Sequence, residues 1–153
     1  MKIAIIHDWL TGMRGGEKCL EVLCKLYPSA DIFTLLHIPG KVSPVIESHR
    51  IHTSFIQNLP FAESKYRYYL PLMPSAIEAF DLKEYDLILS SSHCVAKSVK
   101  PGPSSMHICY CHTPMRYIWD QFDQYFGKGK SSWFAATAIK FIRGWLQRWD
   151  VKT

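Results

Sequence analysis

The apolar positions of the chain gather into four short runs, which are the first guide to its fold. They occupy residues 2–7, 31–36, 85–90 and 106–111, and each is followed by polar or turn-forming residues. Short apolar runs punctuated in this way are typical of strands in a parallel sheet that is covered on both faces. The pattern therefore predicts four buried parallel strands.

A helical pattern lies between the first two predicted strands. From Glu17 to Leu26 the apolar residues recur at helical spacing, and Pro28 follows shortly after the predicted end. A strand, a glycine-bearing loop, a helix and a second strand form a βαβ unit, whose crossover is almost always right-handed. Residues 37–80 contain five prolines, so we expect only short helices there. Together these elements predict an α/β fold with a doubly wound parallel sheet.

The C-terminal part of the sequence predicts an amphipathic helix over residues 133–149. Lys140, Arg143 and Gln147 lie on its polar face, and a helix of this kind packs on a core or lies in a membrane interface; core packing is favoured by about two to one. The chain then ends at residues 150–153 without a cap or a following strand, so we expect the domain to be incomplete at this end. The apolar face of the helix contains Phe134, Ala138, Phe141, Ile142, Trp145 and Trp149.

Composition and charge narrow the class of protein. The 153 residues suit one domain, and 48% hydrophobic with 20% charged residues is a globular rather than a disordered balance. Neither a membrane-spanning run of roughly 20 apolar residues nor a secretory signal is present, which predicts a cytoplasmic protein. The five cysteines have no disulfide-scaffold spacing, so we expect reduced thiols. A net charge of +5 favours anionic partners: phosphorylated sugars, acidic lipid surfaces or nucleic acid.

Three polar motifs follow predicted strands, and the carboxyl ends of parallel strands are where doubly wound folds bind ligands. The first motif includes Asp8 and continues to Gly15 and Gly16, just before the predicted helix. Glycines there allow backbone N–H groups at a helix start to approach a diphosphate. A simple chain turn is about equally compatible with these glycines, because the motif is neither a Walker A sequence nor a dinucleotide fingerprint.

The other two motifs follow the third and fourth predicted strands. Residues 90–93 read SSSH, in which serines most commonly cap a helix and His93 is a candidate ligand contact. Residues 111–117 read CHTPMRY, in which His112 and Arg116 could grip a hydroxylated or anionic ligand and the Thr-Pro pair suits a helix start. We expect all three motifs to meet at one edge of the sheet.

Two further patterns have competing interpretations. His107, Cys109 and Cys111 share one face of a predicted strand, but side chains on one extended strand diverge, so small core residues are favoured over a metal site. Residues 65–69 read KYRYY and interleave aromatic with cationic side chains, which suits stacking on bases or contact with lipid headgroups. We expect no metal.

The motifs resemble a known family. Residues 7–18 (HDWLTGMRGGEK), 90–93 and 111–117 are similar, in order, to the N-terminal domain of glycosyltransferase family 4. The branch they resemble is that of the bacterial mannosyltransferase-like proteins of polysaccharide and O-antigen assembly. Residues 31–35, 70–74 and 148–150 extend the similarity along nearly the whole chain. One departure is that Glu17 directly follows Gly16, whereas the wider family often has one residue between them.

The resemblance implies a GT-B fold of two Rossmann-like domains, with residues 1–153 forming the acceptor-side domain and the donor-binding domain absent. It implies a retaining transfer of a hexose, with mannose from GDP-mannose as the first candidate, to a glycan or lipid-linked acceptor, without a cofactor. Gly15 and Gly16 would contact the donor diphosphate, and His112 would contact the transferred sugar. Asp8 would face the cleft as a second catalytic residue, with His93 and Arg116 as substrate contacts.

The same resemblance implies a cytoplasmic enzyme with peripheral contact to the inner membrane surface, and a piece of it that is inactive alone. Two rival functions remain open from the residues. One is a free-standing nucleotide or sugar-phosphate binding module. The other is a nucleic-acid-binding protein, which ranks last because acidic and basic residues are interspersed and no RNA-binding motif is present.

Overall fold

The protein is a five-stranded parallel sheet with helices on both faces, a Rossmann-like α/β arrangement. The computed structural model describes residues 1–121 and 133–153, and it describes side chains only outside 133–140. Within these ranges the strands lie in the order β3-β2-β1-β4-β5, and every neighbouring pair is parallel. The strands are β1 (Ile3–His7), β2 (Asp31–Thr34), β3 (Ile51–Thr53), β4 (Leu87–Ser92) and β5 (Met106–Cys111).

The fold class and all four predicted strands are confirmed, with end shifts of one or two residues. Strand β3 was not predicted, because three residues between proline-bearing segments leave almost no periodic signal. Residues 37–80 contain only short helices, as their prolines predict. The α-helices are α1 (Gly15–Leu26), α2 (Pro44–Glu47), α3 (Ala62–Lys65), α4 (Met73–Glu78) and α5 (Trp133–Lys152), and 3₁₀ turns lie at Phe55–Asn58, Tyr66–Leu72 and Ala96–Ser98.

Two hydrophobic cores sandwich the sheet. Successive side chains of a strand point to opposite faces, so β1 supplies both cores. Ala4 and Ile6 join one core, together with apolar residues of α4 and α5. Ile3 and Ile5 join the other core, which contains the buried face of α1 and Ile46 of α2. All five residues of β1 are buried, which explains why its sequence is a continuous apolar run rather than an alternating one.

The strand order places a topological switch point beside β1. This strand pairs with β2 on one side and with β4 on the other, so the chain winds outward in both directions from it. Connections that leave such a point diverge above and below the sheet and open a crevice at the carboxyl ends of the strands. His7 is aligned with Ser91 across the β1–β4 pair, and β5 continues the sheet beyond β4.

Helix α5 packs on the first core through a narrower face than its sequence predicts. Leu146, which was not assigned to that face, is 1% exposed and is its most buried described side chain. Phe141 is 80% exposed and Trp145 is 44% exposed, so both lie outside the packed face. Trp149 packs partly against the core, and its indole donates a 2.9 Å hydrogen bond to Glu78. The predicted positions Phe134, Ala138 and Lys140 lie in the part of α5 whose side chains are outside the described ones.

Polar contacts also anchor α5. Asp150 is buried and accepts a 2.8 Å hydrogen bond from the indole of Trp119. Lys97 Nζ lies 3.1 Å from the carboxylate of Asp150 and donates to its backbone oxygen at 2.6 Å. Removing one partner would leave a buried charge unpaired, so this ion pair holds the end of α5 against the segment that follows β4.

We expect Leu146→Ala to lower the free energy of unfolding by about 2–5 kcal/mol, the usual cost of removing a buried leucine side chain. Phe141→Ala is the matched control on the same helix, and its effect should stay within about 0.5 kcal/mol because Phe141 is exposed. Urea unfolding followed by tryptophan fluorescence measures both. Equal destabilisation by the two substitutions would show that α5 packs through a different face.

The side chains of strand β5 are more exposed than the sequence predicts. Cys109 and Cys111 are exposed, so the interpretation of these residues as small core residues is wrong. Met106, Ile108 and Tyr110, on the opposite face, are each more than half exposed. The reason is positional: β5 is the last strand of the sheet in the described part of the chain, so it has a neighbouring strand on one side only. All five cysteines, each at a described position, are free thiols.

The aromatic segment at residues 65–69 is divided between core and surface. Tyr66 is buried, and its ring lies 5.0 Å from that of Trp9. Tyr68 is 72% exposed. None of the helices that the structure describes is long and apolar enough to cross a membrane.

Candidate functional site

A cavity of about 330 Å³ opens at the switch point, at the carboxyl ends of β1, β4 and β5. Its volume is within the range of small-molecule sites. Gly15, Gly16, His93, His112 and Arg116 all line it, so five of the six predicted site residues meet at one edge of the sheet. The other lining residues are Trp9, Arg14, Glu17, Thr113, Tyr117 and Gln121.

Asp8 is the exception, and the prediction that it faces the cleft is wrong. Its side chain is fully buried and does not line the cavity. One carboxylate oxygen accepts hydrogen bonds from the backbone N–H groups of His93 (2.7 Å) and Cys94 (3.0 Å). The other accepts from Val95 (2.6 Å) and Ala96 (2.8 Å). Asp8 therefore ties β1 to the loop after β4, and it positions that loop rather than a ligand.

The start of α1 forms the wall of the cavity nearest β1. Gly15 and Gly16 are its first two residues, where backbone N–H groups have no partner within the helix. A Cβ at Gly16 would lie 3.4 Å from Cε1 of His7, whereas a Cβ at Gly15 would meet nothing within 4 Å. The helix therefore approaches β1 most closely at Gly16, and Gly15 faces open space.

Glu17 is a buried carboxylate that the sequence did not single out. It lies at the third position of α1 and accepts a 3.0 Å hydrogen bond from the backbone N–H of Arg14. Its other oxygen is 3.9 Å from Nε2 of the buried His7. Burial alone would raise the pKa of Glu17, but the adjacent His7 and backbone N–H groups outweigh it and lower the pKa below its ordinary value. Glu17 is therefore ionised at neutral pH.

The sequence predicts that the serines at residues 90–92 cap a helix, and this prediction is wrong. All three are the last residues of β4 itself, since the strand extends to Ser92. Ser91 bridges two histidines: its hydroxyl is 3.3 Å from Nδ1 of His7 and 2.9 Å from Nε2 of His112. Ser90 points to the opposite face and contacts Nε2 of His107 at 2.8 Å. The parallel register, which aligns His7 with Ser91, creates the bridge.

His93 lies beside Trp9 and His7. Its ring packs edge-on against Trp9 at 4.6 Å and lies 5.7 Å from the ring of His7. Its Nδ1 is 3.2 Å from Asp8 but without hydrogen-bond geometry. Burial lowers the pKa of His93 despite the nearby carboxylate of Asp8. The imidazole is therefore neutral at pH 7 and available to a ligand as a hydrogen-bonding group.

His112 follows β5 and faces the cavity. Burial, and after it the proximity of His7 and His93, lowers the pKa of His112. The ring of Tyr110 packs against it at 4.8 Å, which restricts its rotation. Residues 113–121 form turns, so the helix start predicted at the Thr-Pro pair is not observed there.

Two arginines supply positive charge at the mouth of the cavity. Arg14 immediately precedes α1, and Arg116 lies in the turns after β5; both are exposed. In the part of the chain that the structure describes, no group of three histidine, cysteine, aspartate or glutamate side chains could hold a metal ion. The cavity is therefore lined by two arginines, the first backbone N–H groups of α1, the carboxylate of Glu17 and the imidazoles of His93 and His112.

We expect the chain to lose stability as the pH falls from about 7 to 5. Burial lowers the pKa values of His93, His107 and His112 in the folded state. Unfolding returns each to its usual value near 6.5, so the unfolded state binds more protons in this window. The stability present above pH 6.5 is therefore lost as the pH falls toward the folded-state pKa values.

Urea midpoints at pH 7.5, 6 and 5 measure this loss. His93→Gln, which cannot titrate, should reduce the difference between the midpoints. A midpoint that is constant over the range would contradict the assigned pKa directions.

Comparison with protein-family models, with curated proteins and with solved structures found no match for this chain. The fold and the cavity define an α/β protein with a crevice at its switch point, and the start of α1, two arginines and two histidines line that crevice.

Proposed function

We propose that this chain is the acceptor-side, Rossmann-like domain of a GT-B glycosyltransferase, which transfers a hexose from a nucleotide sugar to a glycan or lipid-linked acceptor. The observation that carries the proposal is the composition of the switch-point cavity. The three motifs that resemble glycosyltransferase family 4 all contribute to it, although they are separated by up to about a hundred residues in sequence. Mannose is the first candidate hexose, with GDP-mannose as its donor.

The side of the cavity formed by α1 suits a diphosphate. The first N–H groups of a 12-residue helix carry partial positive charge, and Gly15 leaves room for a ligand to approach them. Arg14 and Arg116 add two full positive charges at the same mouth. Arginine pairs with phosphate oxygens through two parallel hydrogen bonds, so these groups favour an anionic ligand of this kind.

The histidines of the cavity suit a sugar. His93 and His112 are neutral at pH 7 because burial lowers their pKa values, and Thr113 adds a hydroxyl group. Neutral donors and acceptors in a partly buried site recognise hydroxyl groups without the desolvation cost of a charge. Trp9 and Tyr117 supply aromatic surface for the apolar face of a sugar ring.

The chemistry that follows is departure of a nucleoside diphosphate. Charge develops on the leaving phosphate, and prearranged cations and backbone dipoles stabilise it. The α1 terminus and the two arginines supply part of this stabilisation, and His112 would contact the sugar as its ring distorts. The proposed transfer retains the anomeric configuration and needs no metal. It delivers the sugar to an acceptor at the inner membrane surface.

A free-standing sugar-phosphate binding module is the second candidate, because the cavity is built from this chain alone. Titration of ¹⁵N-labelled protein with GDP-mannose, GDP and mannose 1-phosphate locates the ligand through amide shifts. Both candidates predict shifts at Gly15, Gly16 and Thr113. Only the glycosyltransferase predicts sugar transfer by the full-length gene product. Absence of shifts at the cavity for all three ligands would contradict both.

A further inference from the structure

A row of four buried or half-buried polar side chains leads from α1 to the cavity. It begins at Glu17, whose Oε1 lies 3.9 Å from Nε2 of His7. It continues from Nδ1 of His7 to the hydroxyl of Ser91 at 3.3 Å, and from there to Nε2 of His112 at 2.9 Å. The side chains of His7 and Ser91 are fully buried. The row connects three separate elements, α1, the β1–β4 pair and the end of β5.

The carboxylate at one end gives the row a direction. Glu17 is ionised and acts only as a hydrogen-bond acceptor. An unprotonated Nε2 of His7 would therefore place its lone pair opposite the negative carboxylate, and the two would repel each other. In the neutral form of His7 the proton then lies on Nε2, which faces the Glu17 carboxylate at 3.9 Å without a hydrogen bond, and Nδ1 is an acceptor. Ser91 then donates its hydroxyl proton to His7. Because a serine oxygen that donates can still accept, it receives the Nε2 proton of His112.

The other charged and titratable groups around the row do not oppose this direction. Asp8 is saturated by four backbone N–H groups, and His93, whose ring centroid lies 5.7 Å from that of His7, forms no hydrogen bond with it. Tyr110 packs its ring, rather than its hydroxyl, against His112. Nδ1 of His112 forms no hydrogen bond to any residue that the structure describes.

We propose that Glu17, His7 and Ser91 are positioning residues, which hold His112 in the Nε2–H tautomer and present its Nδ1 to the cavity as a hydrogen-bond acceptor. A group that pairs with Nδ1 must then be a donor. An ionised phosphate oxygen cannot donate, whereas a carbohydrate hydroxyl can. The assignment of that hydroxyl to a sugar rests on the proposed function, but the tautomer does not.

The tautomer is measured directly by ¹⁵N NMR of the imidazole nitrogens, in the ligand-free chain at pH 7.5. We expect His112 to show a protonated Nε2 with a ring N–H that exchanges slowly with water, and an unprotonated Nδ1. Ser91→Ala should remove this protection and lower the ratio of Nε2–H to Nδ1–H by about threefold to tenfold, the equivalent of one net hydrogen bond. Ser90→Ala is the matched control, because Ser90 contacts His107 instead.

Glu17→Gln tests the direction of the row without removing the bridge. The amide keeps an oxygen for the Arg14 N–H but carries no charge, so the tautomer of His7 should become mixed and that of His112 should follow. This variant also keeps the test valid if Ser91→Ala does not fold. An Nδ1–H tautomer in wild-type His112, or spectra of His112 unchanged by both substitutions, would overturn the proposal. Failure to bind any nucleotide sugar would remove the proposed function and leave the tautomer result standing.

Discussion

Asp8→Ala should destabilise the chain by about 4 kcal/mol or more. The substitution leaves four buried backbone N–H groups without an acceptor, at His93, Cys94, Val95 and Ala96. Each such group costs about 1–3 kcal/mol, although water that enters the site recovers part of the loss. Domains of this size are stable by only about 5–15 kcal/mol, so the loss is a large fraction of the whole.

Asp8→Asn should have an intermediate effect on stability. The amide keeps one acceptor oxygen for two of the N–H groups, but its NH₂ group would face the other two and cannot accept from them. Asp81→Asn is the matched control, because Asp81 is an exposed carboxylate with a weak contact to Lys83. Circular dichroism melts of the three variants separate the outcomes. If Asp8→Ala melts like the wild type and loses only activity, Asp8 acts in catalysis and its buried position is misassigned.

His112→Ala should lower sugar transfer by the full-length gene product about 30-fold to 1000-fold and leave donor affinity nearly unchanged. In the proposed function the imidazole contacts the sugar, whereas the nucleotide is held chiefly by the donor-binding domain. Loss of one positioned hydrogen bond in the transition state typically costs about 2–4 kcal/mol. Initial rates and calorimetric donor affinity, measured on the same preparations, give the two quantities. A near-normal rate would remove His112 from the site.

Gly16→Val should act on donor binding instead, and we expect it to lower donor affinity by about tenfold or more. A side chain at Gly16 grows toward His7 and His93, where the helix start is already close to β1. Gly15→Val, on the adjacent residue, would place its side chain in the open space through which the ligand approaches α1, so it should lower donor affinity as well. Equal loss of donor affinity in His112→Ala and Gly16→Val would contradict the separation of a sugar side from a diphosphate side.

The sequence predicted the sheet well because each buried strand is a continuous apolar run with a polar end. The convergence of Gly16, His93 and His112 followed from the same signal, since parallel strands bring their carboxyl ends to one edge. Strand β3 was missed because three residues leave no measurable period. The exposure of β5 was missed because the sequence of a strand does not reveal whether another element covers it.

The roles of Asp8 and Ser91 could not be read from sequence order. An aspartate after a strand resembles a ligand contact, and its four backbone donors lie more than eighty residues away. Ser91 resembles a helix cap until the β1–β4 register aligns it with His7. One signal was available for Glu17: a carboxylate at the third position of a helix commonly accepts a hydrogen bond from the residue before that helix.

The central claim is that the switch-point cavity serves sugar transfer, and incubation of the full-length gene product with labelled nucleotide sugars tests it most directly. The acceptors are lipid-linked glycans in membranes, and the product's anomeric configuration is read by proton NMR. We expect transfer of a hexose, highest with GDP-mannose, with retained configuration and with loss of activity in His112→Ala. Absence of transfer from every nucleotide sugar, while the wild-type chain is folded, would contradict the account.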